Sequence, residues 1–323
     1  MTLYKANIIG LGNIAWKFQT NAASKSFPLT HAACFEANPK TTLVGGTSPD
    51  IEDRNKFQEY SNLPTFGSAE EMIQQTKPDI VSICSPPESH YHDIQLCLKC
   101  KVPMIWLEKP PLKTLQELDQ CISLQKQSNS TVLVNYMRRY SNCYKSMKDL
   151  FLQNKLGQPQ SIVFNYSQGL ESNGIHLIDL LAFILDDPTQ RPSIQIFSNP
   201  DSQNPSFTLS LGHEVDFIFL GTELPYHTTD VTLTCEKGRA SINAGGMEAK
   251  VELVTPNKTF PGFFHLTPAK DNLLGVGDVK DTLAVALDNL IHAYENNYSP
   301  GSNLKTARFA TNVVESIRQD SGS

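Results

Sequence analysis

Residues 7–15 read Asn7-Ile8-Ile9-Gly10-Leu11-Gly12-Asn13-Ile14-Ala15, a short apolar strand followed by a G-x-G-x-x-A loop and the start of a helix. Gly10 permits a tight turn, and Gly12 has no side chain to keep a pyrophosphate away from the backbone. The free N–H groups of Asn13 and Ile14 would receive that pyrophosphate at the helix N-terminus. The stretch therefore predicts a dinucleotide-binding βα unit.

Further strands follow this loop at the spacing of an α/β sheet. Apolar runs are expected to form strands at 42–47, 79–84, 102–107 and 131–135, with helices between them. Helix starts are predicted at Thr30, Ser48-Pro49, Ser68 and Thr114. Alternating strands and helices predict a doubly wound parallel sheet over residues 1–135, a Rossmann domain.

The carboxyl ends of the predicted strands carry polar or turn residues, and ligands of parallel sheets bind at those ends. We expect cofactor contacts from Ser48, from Ser85 and Pro86, and from Glu108 and Lys109, and we expect His90 to line the cofactor loop.

From Ser161 onward, short strands with alternating apolar and polar residues predict a largely antiparallel sheet. Residues 136–323 are predicted to form an α+β domain that binds substrate and mediates oligomerisation. The sequence supplies few helices to cover this sheet, so we expect a homodimer or homotetramer built through it.

Composition excludes several classes of protein. The net charge is −6 with no basic run, so a nucleic-acid partner is not expected. No apolar stretch is long enough to span a bilayer, so no membrane association is expected. The seven cysteines are scattered, which favours reduced thiols and a cytoplasmic location. Cys97 and Cys100 form a C-x-x-C pair within a predicted helix, with no second pair at zinc spacing, so no metal site is predicted.

Three groups of residues carry candidate chemistry, and each has a simpler interpretation. Lys109 is either a solvated lysine at a strand end or a cation that contacts both nicotinamide and substrate hydroxyl. His176 and Asp179 share a helix face at i, i+3, as either a core pair or a general base oriented by a carboxylate. Arg138 and Arg139 are either surface or domain-interface residues, or one of them is a clamp for a substrate carboxylate or phosphate.

The chain resembles the Gfo/Idh/MocA oxidoreductase family over nearly its whole length. The resemblance rests on the Gly10–Ala15 loop, Ser85-Pro86-Pro87 with His90, Glu108-Lys109-Pro110, and the helix with His176 and Asp179. Residues 135–140, 166–170 and 173–176 further resemble members associated with surface-polysaccharide and sialic-acid-like sugar biosynthesis.

The resemblance implies hydride transfer between a sugar-like alcohol and a nicotinamide, with Lys109 beside the reacting hydroxyl and His176 as the acid/base. It also implies substrate contacts from Arg138, Tyr166, Asn173 and Asp179. Many members carry an Asp four residues before the histidine, where this chain has Ser172. A proton relay through that Asp is therefore absent.

The second strand ends in Thr47-Ser48-Pro49-Asp50, with Arg54 further on. This ending predicts that both NAD and NADP bind, with a slight preference for NADP. The sequence thus predicts an NAD(P)-dependent oxidoreductase acting on a sugar or nucleotide-linked sugar. The alternatives are redox-assisted epimerisation or elimination on a bound nicotinamide, and a non-catalytic cofactor-binding sensor.

Overall fold

The computed structural model describes residues 3–21, 27–212, 214–275, 277 and 280–321. The chain divides into two compact units. The first comprises Met1–Met137 with Lys280–Arg308, and the second comprises Arg138–Val279 with Phe309–Ser323. The predicted boundary after residue 135 lies close to the observed one. The predicted second domain is nevertheless interrupted, because residues 280–308 pack with the first unit.

The first unit contains a six-stranded parallel sheet in the order β3-β2-β1-β4-β5-β6. Its strands are β1 (Tyr4–Ile9), β2 (Thr41–Thr47), β3 (Thr65–Phe66), β4 (Ile80–Ile83), β5 (Met104–Leu107) and β6 (Thr131–Val134). Every residue of β4 and β5 is buried, which explains why these strands read as continuous apolar runs.

Helices connect these strands, as predicted. They are α1 (Phe18–Asn21), α2 (His31–Ala37), α3 (Ile51–Ser61), α4 (Ala69–Thr76), α5 (Pro87–Lys99) and α6 (Leu115–Ser128). Thr30, Ser68 and Thr114 accept hydrogen bonds from backbone N–H groups three residues on and therefore cap α2, α4 and α6. The predicted cap at Ser48 is wrong. Asp50 caps α3 by accepting from Glu52 N at 2.8 Å.

A late segment of the chain completes the first unit. Helix α9 (Thr282–Glu295) packs against β5, β6 and α2. Lys40 Nζ lies 2.7 Å from a Glu295 carboxylate oxygen, and Asn38 Nδ2 donates to Asp288 at 2.7 Å. The buried apolar face of this helix therefore covers the Rossmann sheet.

The second unit is built on an eight-stranded sheet in the order β14-β13-β12-β11-β7-β10-β9-β8. Its strands are β7 (Pro159–Tyr166), β8 (Ser193–Ser198), β9 (Ser206–Ser210), β10 (Asp216–Gly221), β11 (Thr229–Cys235), β12 (Gly238–Asn243), β13 (Glu248–Pro256) and β14 (Phe264–Pro268). Only β7 and β10 pair in parallel among these described strands, so the predicted mostly antiparallel α+β architecture is confirmed.

Three further helices belong wholly or mainly to this unit: α7 (Asn142–Leu152), α8 (Ile175–Ile184) and α10 (Arg308–Ser321). Helix α8 is buried along nearly its whole length. In β11, buried residues alternate with half-exposed ones, so one face of the sheet forms the core. Phe219 stacks between Phe164 and Phe207 on that face, with ring centroids 4.5 and 4.6 Å apart.

Three findings bear on composition-based expectations. The seven cysteines all lie among the described residues and form no disulfide with one another, and Cys100 is the exposed one. Among the described helices, none combines the length and hydrophobicity needed to cross a bilayer. Within the described residues, no cluster of three or more His, Cys, Asp or Glu side chains has the arrangement of a metal site.

Candidate active site

The glycine loop after β1 is shaped by the close approach of two strand ends. Gly10 has φ +88°, and a Cβ at this position would lie 2.4 Å from Ser85 N. No larger residue fits there, because both the dihedral and the space exclude a side chain. The loop after β1 is therefore held directly against the loop after β4.

Gly12 has a different role, because a Cβ built on it meets no protein atom within 4 Å. The space over its backbone is open to a ligand. A π-helical turn, Asn13–Lys17, follows Gly12 in place of the expected regular helix start, and α1 continues from it. Ala15 is fully buried, and Trp16 Nε1 donates to Leu11 O at 3.0 Å, which fixes the loop.

A cavity of about 720 Å³ opens at the carboxyl ends of β1, β2 and β4, within the size range of small-molecule sites. Of the predicted cofactor residues, the cavity is lined by Gly10, Gly12, Ser48, Ser85 and Pro86. Asn13, Ile14, His90, Glu108 and Lys109 are not among the residues that line it.

Sequence reasoning missed some of the lining residues. Ser68, Ser89 and Asp93 also face the cavity, and Ser85 Oγ donates to Asp93 at 2.6 Å. The sequence identifies Ser68 only as a helix cap. Ser68 lies beside the cavity because it comes just after β3, and this two-residue strand is too short to give an alternating pattern in the sequence.

The end of β2 carries the groups that bear on cofactor choice. Arg54 Nη1 donates to Ser48 O at 2.6 Å and to Pro49 O at 3.1 Å, which holds the guanidinium at this strand end. The Asp50 carboxylate lines the cavity but is engaged in capping α3. Lys17 and Asp53 form an ion pair at 2.6 Å.

His90 lies under the loops and not among the residues that line the cavity. It is buried, with Nε2 2.9 Å from Ser85 O and Nδ1 2.7 Å from Pro110 O. The ring therefore bridges the loops after β4 and β5. The nearby His92 lines the cavity instead. His90 therefore lies against the loop after β4 and braces it, and a direct contact between His90 and the cofactor stays a prediction.

Glu108 and Lys109 directly follow β5. Lys109 is half-buried, its peptide bond to Pro110 is cis, and its N–H donates to Glu108 Oε2 at 3.2 Å. The Glu108 carboxylate is buried and also contacts His31 and Asn135. Burial opposes ionisation of Glu108, but His31, Lys109 and Asn135 outweigh it and lower the pKa of this carboxyl group.

His176 lies in the second unit, buried in the first turn of α8. The predicted partnership with Asp179 is wrong. Both Asp179 oxygens accept from Arg139, at 2.8 Å each, and Arg139 also pairs with Asp187 at 2.7 Å. Burial raises the pKa of Asp179 to about 6, while the charge on Arg139 limits the rise. Asp179 is therefore a structural residue and does not orient His176.

The other predicted substrate contacts differ in their accessibility. Tyr166 is fully buried and donates to Pro205 O at 2.5 Å, so it is not a surface contact. Arg138 is buried and donates to Thr229 Oγ1 at 2.9 Å. Asn173 is half-exposed, donates to Ser167 O at 2.7 Å and lies 3.0 Å from His227 Nδ1. Ser172, beside it, is exposed.

Known structures share this fold over the whole chain. An oxidoreductase from Agrobacterium radiobacter, solved with NAD+, L-tartaric acid and magnesium, superimposes with a TM-score of 0.74 at 15% identity and covers 100% of this chain and 97% of that one. A mutant of KijD10, a 3-ketoreductase from Actinomadura kijaniata solved with TDP-benzene and NADP, gives 0.76 at 14% identity, covering 98% of each chain.

Curated proteins with similar sequences include dehydrogenases. D-apiose dehydrogenase of Rhizobium rhizogenes is 23% identical over 290 residues, which cover 80% of this chain and 77% of that protein. D-glucoside 3-dehydrogenase of Escherichia coli is 23% identical over 201 residues, 56% of this chain. The matched part of this chain spans about half, 54%, of the length of D-glucoside 3-dehydrogenase. A further relative, the putative oxidoreductase YteT of Bacillus subtilis, is 29% identical over 115 residues, which span 27% of its length.

The fold and the glycine loop define a Rossmann unit followed by an α+β unit. Residues 4–136 match the model of the Gfo/Idh/MocA oxidoreductase family, which is described as having an NAD-binding Rossmann fold. This match covers the sheet of the first unit, and two of the curated relatives named above are dehydrogenases.

Proposed function

We propose that this chain is an NAD(P)-dependent oxidoreductase that moves a hydride between the carbinol carbon of a sugar or nucleotide-linked sugar and nicotinamide. The observation that carries the proposal is the cavity at the carboxyl ends of β1, β2 and β4. In it, the backbone over Gly12 is open, and Ser48, Ser85 and Pro86 come from the successive strand ends. A dinucleotide is the ligand that this arrangement fits.

The bound nicotinamide would supply the hydride acceptor. Lys109 follows the next strand of the same sheet, at its ligand-binding edge, so its ammonium is the group proposed to bind the substrate oxygen and stabilise the charge that develops there. His176 is proposed to accept the hydroxyl proton, because an imidazole titrates near neutral pH.

The second unit lacks the usual carboxylate four residues before this histidine. The exposed Ser172 hydroxyl does not ionise near neutral pH, and Asp179 is engaged by Arg139. We therefore propose that His176 exchanges its proton with solvent directly, without a carboxylate relay.

The substrate class is proposed from resemblance and from named relatives. The relatives include enzymes named for D-apiose and for D-glucosides, and one structural neighbour was solved with a TDP ligand. Residues 135–140, 166–170 and 173–176 resemble members linked to surface-polysaccharide and sialic-acid-like sugars. A sugar or nucleotide-linked sugar fits both lines of support.

The proposal is tested by following nicotinamide absorbance while purified protein is incubated with a panel of aldoses, glycosides, inositols and nucleotide-linked sugars. We expect one chemical class to reduce NAD+ or NADP+ and Lys109→Ala to abolish the signal. If neither nucleotide binds and no compound in the panel reacts, the proposal is wrong.

A further inference from the structure

His31 lies at the centre of a buried polar network beneath Lys109. It is the first residue of α2 and is fully buried. Its Nε2 lies 2.8 Å from Glu108 Oε1, and its Nδ1 contacts the Ser82 hydroxyl. The ring also packs on Trp106, with centroids 3.8 Å apart. Sequence reasoning gave this histidine no role, since it belongs to no motif.

The network fixes the Glu108 carboxylate on both sides. Oε1 accepts from His31 and also from Asn135 Nδ2 at 2.5 Å, while Asn135 Oδ1 accepts from Trp106 Nε1 at 3.2 Å. Oε2 accepts from the Lys109 N–H at 3.2 Å. Helix α2 and the ends of β5 and β6 are thus joined at one carboxylate, and its rotation would break several hydrogen bonds.

The charge of the pair follows from its surroundings. An isolated carboxylate is costly to bury, whereas one paired with an imidazolium is compensated. Burial alone would lower the pKa of His31, but Cys84, which lies beyond Ser82, and Glu108 outweigh it and raise the pKa to about 10. The contacts of both ring nitrogens, Nε2 with Glu108 Oε1 and Nδ1 with the Ser82 hydroxyl, and the directions of the two pKa shifts agree with an imidazolium beside a carboxylate.

We propose that His31 is a positioning residue for Lys109, acting through Glu108. As an imidazolium, it holds Glu108 ionised and fixed, so that the main chain of Lys109 is anchored and its ammonium stands beside a neutral ion pair. The expected effect on kcat rests on the proposed function. The expected protonation state of His31 and the reactivity of Lys109 can be measured without a substrate.

The first test is the protonation state of His31 in the wild-type protein. Nitrogen NMR of histidine-labelled protein, with His31 assigned by its proximity to Trp106, should show an imidazolium at about pH 8. A neutral His31 imidazole at that pH overturns the proposal. This measurement requires no substitution and holds even if no variant folds.

The second test uses His31→Gln, with His292→Gln as the matched control. His292 is exposed on α9 and contacts Tyr298. Loss of the imidazolium removes the group that holds Glu108 in place, so the Lys109 main chain loses its anchor. Acetylation of Lys109 by acetic anhydride, followed by peptide mass spectrometry, should become faster by at least about threefold, because the released side chain is more accessible. An unchanged or slower rate contradicts the proposal.

The third readout separates this inference from the proposed function. His31→Gln should lower kcat by about tenfold, through misplacement of Lys109, while the dissociation constant for the nucleotide stays within about threefold. A kcat equal to that of wild type overturns the positioning role. If the wild-type protein transfers no hydride, the proposed function fails, and NMR and acetylation still decide the role of His31.

Discussion

At the residue scale, the proposed hydride transfer depends on Lys109 and His176, which have different chemistry. The ammonium of Lys109 is proposed to bind the substrate oxygen and stabilise its charge, whereas the imidazole of His176 is proposed to accept a proton. Lys109→Ala and His176→Ala should each lower kcat by about 10²–10⁴ while leaving nucleotide affinity within a few-fold. Steady-state kinetics and fluorescence titration measure both quantities.

Ser172→Ala is the matched control for these substitutions. Its cost should be less than about tenfold in kcat, because the hydroxyl cannot serve as a base near neutral pH. If His176→Ala keeps near-full activity while Ser172→Ala abolishes it, the assignment of roles is wrong.

His31 makes stability depend on pH in a defined direction. Its pKa rises from 6.5 to about 10 on folding, so its contribution is fully present below pH 6.5 and is lost as the pH rises through about 10. Glu108, whose pKa is lowered on folding, contributes above its ordinary value of 4.5. The difference in Tm between wild type and His31→Gln should therefore be largest between pH 4.5 and 6.5. A difference that grows toward alkaline pH would contradict this.

At the element scale, sequence predicted the regular parts of the chain and missed the local exceptions. The caps Thr30, Ser68 and Thr114 were correct, because each signal lies within four residues. Asp179 was misassigned because its partner, Arg139, lies forty positions earlier, and only the fold brings them together. The bridging role of His90 was missed for the same reason: Pro110 is twenty residues away.

The buried ion pair between Arg139 and Asp179 of α8 provides a test of the role assigned to Asp179. Asp179→Asn leaves Arg139 with Asp187 alone and should cost about 3 kcal/mol of unfolding free energy, measured by urea denaturation. Asp186→Asn, which removes a partner from the exposed pair with Lys148, should cost less than about 1 kcal/mol. Folded Asp179→Asn protein should keep kcat within about tenfold. A loss as large as that of His176→Ala would restore Asp179 as a catalytic partner.

The end of β2 provides a test of cofactor choice. Both nucleotides should bind, with NADP slightly favoured, because Arg54 is held at this strand end. Arg54→Ala should weaken NADP binding by about tenfold and NAD binding much less, since a lost charge-assisted hydrogen bond costs about 1.5–3 kcal/mol. Lys56→Ala, on the same helix, is the control. A wild-type preference for NAD of about a hundredfold, about 2.7 kcal/mol, would contradict the prediction.

At the scale of the whole molecule, sequence predicted a Rossmann unit followed by an α+β unit, and the fold confirms that order. It did not predict that residues 280–308 return to the first unit. Apolar residues recur at helical spacing in α9, at Leu283, Leu287 and Leu290, but this pattern indicates only that the helix packs and not which sheet it covers. Which sheet the helix covers is decided by contacts between residues that lie far apart in the sequence.

Assembly is proposed at the same scale. Phe260, Phe263 and Phe264, which precede or begin β14, are 62–69% exposed, and an apolar surface of this kind favours a partner. Light scattering should give at least twice the chain mass, and Phe264→Asp should lower it. Phe18→Asp, at a 50% exposed position in the first unit, should not. A monomeric wild-type protein at micromolar concentration would contradict the proposed dimer or tetramer.

The central claim is net hydride transfer to nicotinamide, and its most direct test is the fate of deuterium at the reacting carbon. The active sugar is labelled at its carbinol carbon and incubated with the protein and NAD+ or NADP+. Mass spectrometry of both products should find the deuterium on the reduced nicotinamide and a ketone in the sugar. If the sugar is converted while the deuterium stays on it or is lost to solvent, with no reduced nicotinamide formed, the chain does not catalyse net dehydrogenation.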